Sequence, residues 1–127
     1  MTEEQIVLGR RAVACKDWRW MSGMATAEGH RVVLVDDDVL WMVYNEEGKC
    51  KPGCVEDFVP DLSDPATMGG LLALVREAWG DDEAYANPWH DEDGGWTVCV
   101  GEEDRSVNVS EGDTEAEALV FALEDAP

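Results

Sequence analysis

The segment from Asp64 to Gly80 constrains the fold most, because both of its ends and its buried face can be read from the residues alone. Asp64 is a strong N-cap, Pro65 takes the first helical position, where a missing amide costs nothing, and Gly80 can adopt the left-handed geometry that stops a helix. Between them Met68, Leu71, Leu72, Val75, Ala78 and Trp79 recur at helical spacing and make one apolar face. Gly69 and Gly70 lie inside this helix at a cost of about 1 kcal/mol each relative to Ala. Either that turn packs closely against a strand or another helix, or the cost is simply tolerated.

A central helix leaves a β-rich stretch on either side. Thr2-Glu3-Glu4-Gln5 has the form of a capping box and predicts a first helix over 3–15, burying Ile6, Val7, Val13 and Ala14. Trp18–Met21, Arg31–Val35 and Val39–Tyr44 are short and rich in β-branched and aromatic residues, which predicts a three-stranded meander joined by Ala25–Gly29 and the Asp36–Asp38 turn. Residues 45–62, punctuated by Gly48, Pro52, Gly53 and Pro60, read as a loop, and residues 81–95 as a second, acidic loop. Trp96–Val100 and Ser106–Val109 then form a hairpin, and Thr114-Glu115-Ala116-Glu117 caps a last helix whose seam is Ala116, Leu119, Val120 and Leu123. The expected architecture is a single α+β domain over residues 1–127, in the order α-βββ-α-ββ-α, with helices packed on one antiparallel sheet of about five strands.

Charge bounds the function. The chain carries a formal −20 on 127 residues, whereas solubility needs a net charge of only about 2 to 8 in a small domain. The excess is graded along the sequence. Residues 1–35 hold five bases against four acids, residues 36–80 three against ten, and residues 81–127 Arg105 alone against fifteen. A 45% hydrophobic content with six Trp argues for folding despite that charge. Such a body is repelled by phosphate backbones and anionic lipid, so direct nucleic-acid or membrane binding is not expected. The absence of a long apolar run and of a signal-peptide pattern near the N-terminus leads to the expectation of a soluble, intracellular protein.

Three stretches, Arg11–Met21 (RAVACKDWRWM), Asp61–Gly80 (DLSDPATMGGLLALVREAWG) and Thr114–Ala126 (TEAEALVFALEDA), resemble small acidic proteins of tailed bacteriophages and prophages. The last also resembles the closing helix of phage α-β-α sandwich domains. This resemblance implies a phage origin and brings no catalytic residue with it.

The chemistry-bearing residues do not assemble a known catalytic signature: there is no nucleophile elbow, phosphate-binding loop, dinucleotide fingerprint or His-Glu-x-x-His pattern. His90 has carboxylates beside it that would raise its pKa, but no nucleophile accompanies it. Asp91-Glu92-Asp93-Gly94 opens like a calcium loop and lacks the later ligands, so it reads as solvated. Cys50-Lys51-Pro52-Gly53-Cys54 leaves three options: a zinc knuckle completed by His30, His90 or Cys99, a labile disulfide, or free thiols, which the spacing favours. No enzyme activity, cofactor or metal is expected. Trp41 and Trp79 read as core, and Trp89 as an interface anchor or a packing residue.

The acidic clusters are the remaining functional signal, and nearly all fall in predicted turns. Asp81, Asp82, Glu83, Asp91, Glu92, Asp93, Glu102, Glu103 and Asp104, with Trp89, are the expected partner-binding residues. They would present carboxylates where a phosphate backbone lies and so occupy the Lys/Arg groove of a nucleic-acid-handling protein. The leading expectation is a non-enzymatic phage inhibitor of a host defence effector, of anti-CRISPR or anti-restriction type. The alternatives are a phage assembly or homo-oligomeric protein and a nucleotide-sequestering binder using Arg10, Arg11, Lys16, Arg19 and Arg31.

Overall fold

A computed structural model of the chain describes residues 2–37, 39–43, 50–88, 94–101 and 107–127. Among the described residues there are three α-helices, α1 (Glu3–Ala14), α2 (Pro65–Trp79) and α3 (Glu115–Glu124). Six strands accompany them: β1 (Arg31–Asp36), β2 (Val39–Val43), β3 (Cys50–Cys54), β4 (Tyr85–Pro88), β5 (Trp96–Val100) and β6 (Val107–Gly112). They form two antiparallel three-stranded sheets, β1-β2-β3 and β4-β5-β6. The class is α+β as expected, but six strands in two sheets replace the expected single sheet of about five. No helix among the described residues is long and apolar enough to cross a membrane.

Two strands are unexpected, β3 at an edge of the first sheet and β4 at an edge of the second, and both contain proline. Pro52 in β3 and Pro88 in β4 lack the amide a ladder needs, and an edge is where that loss is tolerated. Conversely, Trp18–Met21 is not a strand. Its Trp18 amide bonds to the Cys15 carbonyl at 3.1 Å and Met24 N–H bonds back to Met21 O at 3.2 Å, so the aromatic run is folded into turns that bury Trp20.

The chain divides into two compact units inside α2, the first comprising residues 1–13 and 19–70 and the second residues 14–18 and 71–127. In the first unit the Thr2–Gln5 capping box closes in both directions, Thr2 N–H to Gln5 Oε1 at 3.0 Å and Gln5 N–H to Thr2 Oγ1 at 3.2 Å. The buried face of α1 is Leu8, Gly9 and Ala12, with Val7 54% exposed and Ala14 exposed, instead of the expected Ile6–Val7–Val13–Ala14 stripe. Gly9 sets this rotation, because a Cβ there would lie 2.6 Å from Val59 Cγ1. The helix seats its glycine, not its branched residues, on the Val59–Pro60 segment.

A bulge at Val33 sets the faces of the first sheet. Val32 opposes Met42 and Val35 opposes Leu40 on the buried side, while Leu34 opposes Trp41 on the exposed side. Trp41, expected in the core, is 37% exposed, because Leu40 and Met42 on either side of it in β2 take the buried face.

The start of α2 anchors the same unit. Asp64 accepts from Thr67 N–H at 3.0 Å as N-cap, from Thr67 Oγ1 at 3.1 Å, and from the two terminal guanidinium nitrogens of Arg31, Nη2 at 2.9 Å and Nη1 at 3.0 Å. Thr67 is fully buried and passes the connection on, accepting from Ala25 N–H at 2.8 Å. Gly70 sits where a Cβ would lie 2.6 Å from Met24 Cε, whereas Gly69 faces open space. Of the two helix glycines, Gly70 packs against the flexible tip of a loop methionine in place of the expected strand or helix, and Gly69 is simply tolerated.

In the second unit α2 ends in a Schellman motif: Asp81 N–H bonds to Arg76 O at 2.9 Å and Gly80 N–H to Glu77 O at 3.2 Å, with Gly80 at φ 64°. Half-buried Trp79 is fixed by a bond of 2.8 Å from Nε1 to the Ala122 carbonyl of α3. Helix α3 packs on β4, β5 and β6 through Ala118, Leu119, Val120, Ala122 and Leu123, and Ala116 is only half-buried. Thr114 caps Glu117 N–H at 3.1 Å, and the Glu117 carboxylate reaches back to Asp113 N–H, one residue before the expected Thr114 amide. At Gly112 a Cβ would meet Ala118 N at 2.7 Å, so β6 and α3 approach more closely than any side chain allows.

Two predictions follow from this packing. Gly69→Ala should stabilise the protein by about 0.5–1 kcal/mol, whereas Gly112→Ala should cost about 1–3 kcal/mol because its neighbour is backbone; urea unfolding of both variants checks the sign. The Arg31 hydrogen bonds, chiefly, hold the Asp64 carboxyl down at about 2 against an ordinary 3.8. Its contribution to stability is complete above pH 4 and is lost as the pH falls toward 2. Asp64→Asn should therefore be less stable than wild type at neutral pH, and the difference between their unfolding midpoints should shrink across that window.

Candidate acidic interface

The second unit concentrates the charge. Residues 14–18 and 71–127 contain three bases against seventeen acids, a net −14, while the first unit is at −6. Two of the three bases are engaged with main-chain oxygens: Arg76 Nε donates to Ala84 O at 2.7 Å and Lys16 Nζ to Pro127 O at 3.1 Å. The third, Arg105, lies outside the described residues.

Of the expected partner-binding residues, Asp81, Asp82 and Glu83 are described, and they divide into two roles. Asp81 is a structural residue. Its Oδ2 accepts from Gly101 N–H at 2.6 Å and its Oδ1 from Glu83 N–H at 2.9 Å, and these bonds, the Gly101 one foremost, hold its carboxyl below the usual carboxylate range. Asp81 thereby ties the turn after α2 to the end of β5. Asp82 and Glu83 project from that turn into solvent. Trp89, Asp91, Glu92, Asp93, Glu102, Glu103 and Asp104 lie outside the described residues, as does His90.

A second acidic feature sits at the other end of the sheet. Gly94, Gly95 and Gly112 leave an open cleft of about 440 Å³ walled by Glu111, Asp113, Glu117 and Phe121. The glycines have no side chains to fill the cleft, and the capping geometry of α3 brings Asp113 and Glu117 together. Strand alternation hides this cleft from a sequence reading: Ser110 turns its hydroxyl to the Ala118 carbonyl at 2.6 Å, Glu111 is exposed, and the Glu-Gly-Asp run joins them to a helix cap. The capping box was the one local signal pointing there.

No group of three or more His, Cys, Asp or Glu among the described residues is disposed to hold a metal ion. Cys50 and Cys54 lie at the two ends of β3, on one face, and a four-residue extended separation is about 13 Å. One zinc ion or one disulfide cannot bridge that distance, because disulfide-bonded Cα atoms lie within about 7 Å. Free thiols, the favoured option, are what the strand geometry leaves.

The Asp81 ties predict a local effect without global collapse. In Asp81→Ala, the Gly101 and Glu83 amides should exchange with solvent faster by hydrogen–deuterium exchange, while Asp82→Ala leaves both at wild-type rates. Protection of these amides in the wild type should persist below the ordinary pKa of an aspartate, because the folded carboxyl is the more acidic one. Compared with protein-family models, curated proteins and solved structures, the chain matches none.

Proposed function

We propose that the chain is a non-enzymatic binding protein that occupies the basic nucleic-acid groove of a host defence effector, such as a CRISPR nuclease or a restriction enzyme. The observation that carries this reading is the −14 net charge of the second unit, with carboxylates at both ends of one small sheet. Asp82 and Glu83 sit at the end where β5 leaves, and Glu111, Asp113 and Glu117 at the end where β6 finishes. A strand of five residues separates the two groups by about 15 Å. That is the wrong geometry for one ion and the right one for a row of Lys and Arg side chains, which normally answer to successive phosphates. Electrostatic steering would speed the encounter, and release of counterions would make it strongly salt-dependent. The phage resemblance supplies the host setting, the bacterial cytoplasm.

The test is affinity capture from bacterial lysates expressing assorted CRISPR and restriction effectors, with elution along a salt gradient. Recovery of one effector, displaced by duplex DNA or guide RNA, supports the reading. The double variants Asp82→Lys/Glu83→Lys and Glu111→Lys/Asp113→Lys should each weaken that capture by roughly tenfold to a hundredfold at about 0.1 M salt. Undiminished capture by both variants at low salt, or recovery only of the protein itself or of virion components, would overturn it in favour of an assembly role.

A further inference from the structure

The exposed face of the first sheet carries a row that solubility does not explain. Leu34 on β1, Trp41 on β2 and Pro52 on β3 are direct cross-strand neighbours, and all three are exposed, Leu34 at 55% and Trp41 at 37%. The bulge at Val33 is what turns Leu34 outward to meet Trp41. Two register steps along, and so on the same face, Asp36, Val39 and Cys54 form the next row, and Asp37 and the Glu56-Asp57 turn follow at the same end of the sheet. Asp36, Asp37, Glu56 and Asp57 are all exposed. An aliphatic and aromatic row thus runs beside four carboxylates.

We infer that this face is a docking surface for an arginine-bearing, partly apolar segment of a basic partner protein. This rests on the reading above that the partner is basic, and it adds which chemistry the first unit recognises. Charge complementarity selects the occupant. A guanidinium stacks on an indole and pairs with carboxylates through its planar fork, while its neighbours' aliphatic groups cover Leu34 and Pro52. A second copy of this chain is the poorer occupant. It brings another −20 to the contact, and at the β3 edge Pro52 withholds the amide that strand-to-strand pairing needs.

The probes are short synthetic peptides alternating Arg with Leu, Lys with Leu, and Asp with Leu. Binding is followed by fluorescence anisotropy at about 0.3 M salt, where attraction between exposed charges is screened within a few ångströms. The Arg–Leu peptide should bind about tenfold more tightly than the Lys–Leu peptide, and the Asp–Leu peptide should not bind. Trp41→Leu, which keeps apolar bulk and removes the indole face, should cost the Arg–Leu peptide about tenfold, and Leu34→Thr should weaken it as well. In the wild type, the Trp41 indole N–H resonance should shift on titration, a readout that needs no variant. Equal binding of the Arg–Leu and Lys–Leu peptides with no effect of either substitution overturns the inference. A wild-type dimer in sedimentation that dissociates in Leu34→Thr overturns it too, by assigning the face to a second copy. Because the peptides require no host effector, these results stand apart from the capture experiment on the second unit.

Discussion

The carboxylate of Asp64 is the interaction on which the first unit depends. It ends the backbone of one element and grips the side chain of another: as N-cap it satisfies an orphan amide of α2, and as an ion-pair partner it holds Arg31 at the start of β1. Arg31 also donates to the Gly23 carbonyl at 2.7 Å, and buried Thr67 accepts from Ala25. Helix start, strand start and the 22–30 turn are therefore positioned by one connected set of polar groups. Such a set is worth more than an exposed ion pair because Asp64 is largely shielded while each of its oxygens has a partner. In a chain with twenty excess negative charges, a carboxylate that is fully matched is also one fewer contributor to self-repulsion.

The second unit handles charge in the opposite way. It leaves most of its carboxylates to solvent and spends its described bases on main-chain oxygens, Arg76 on Ala84 and Lys16 on Pro127. Cohesion there comes from close backbone approach, at Gly112 against Ala118, and from the aliphatic seam of α3 against β4, β5 and β6. Asp81 is the exception, a carboxylate taken out of the exposed set to hold the end of β5.

How far the fold can be read from the sequence follows from which signals are local. Both capping boxes, the Asp64-Pro65 start and the Gly80 stop of α2, and the strands at Arg31, Val39 and Trp96 were legible, because caps and β-branched runs act over a few residues. The strands β3 and β4 were not, since Pro52, Gly53 and Pro88 read as breakers until it is known that they occupy edges. The buried face of α1 was misread because periodicity scores side chains and Gly9 has none, although Gly9 is the residue that meets Val59. The Val33 bulge had no signal in a run of valines and leucine, and it alone moves Leu34 to the exposed side with Trp41. In the acidic turn after α2, Asp82 and Glu83 were legible as exposed turn residues. The structural use of Asp81 was not, because its partner Gly101 is twenty residues away.

The two candidate surfaces answer to different parts of a binding free energy. Exposed carboxylates such as those at the ends of the β4-β5-β6 sheet would act on a basic partner at a distance, set the encounter rate and fade with salt. A Trp–Leu–Pro row acts only in contact, gains from excluding water and governs how long a complex lasts. A purely electrostatic decoy would bind every basic groove alike and be displaced from each by nucleic acid, since phosphates offer the same charge at higher density. On the proposed function, discrimination between basic partners would therefore have to come from apolar and stacking contacts, and the exposed face of the β1-β2-β3 sheet is where this chain has an indole at register with an aliphatic neighbour.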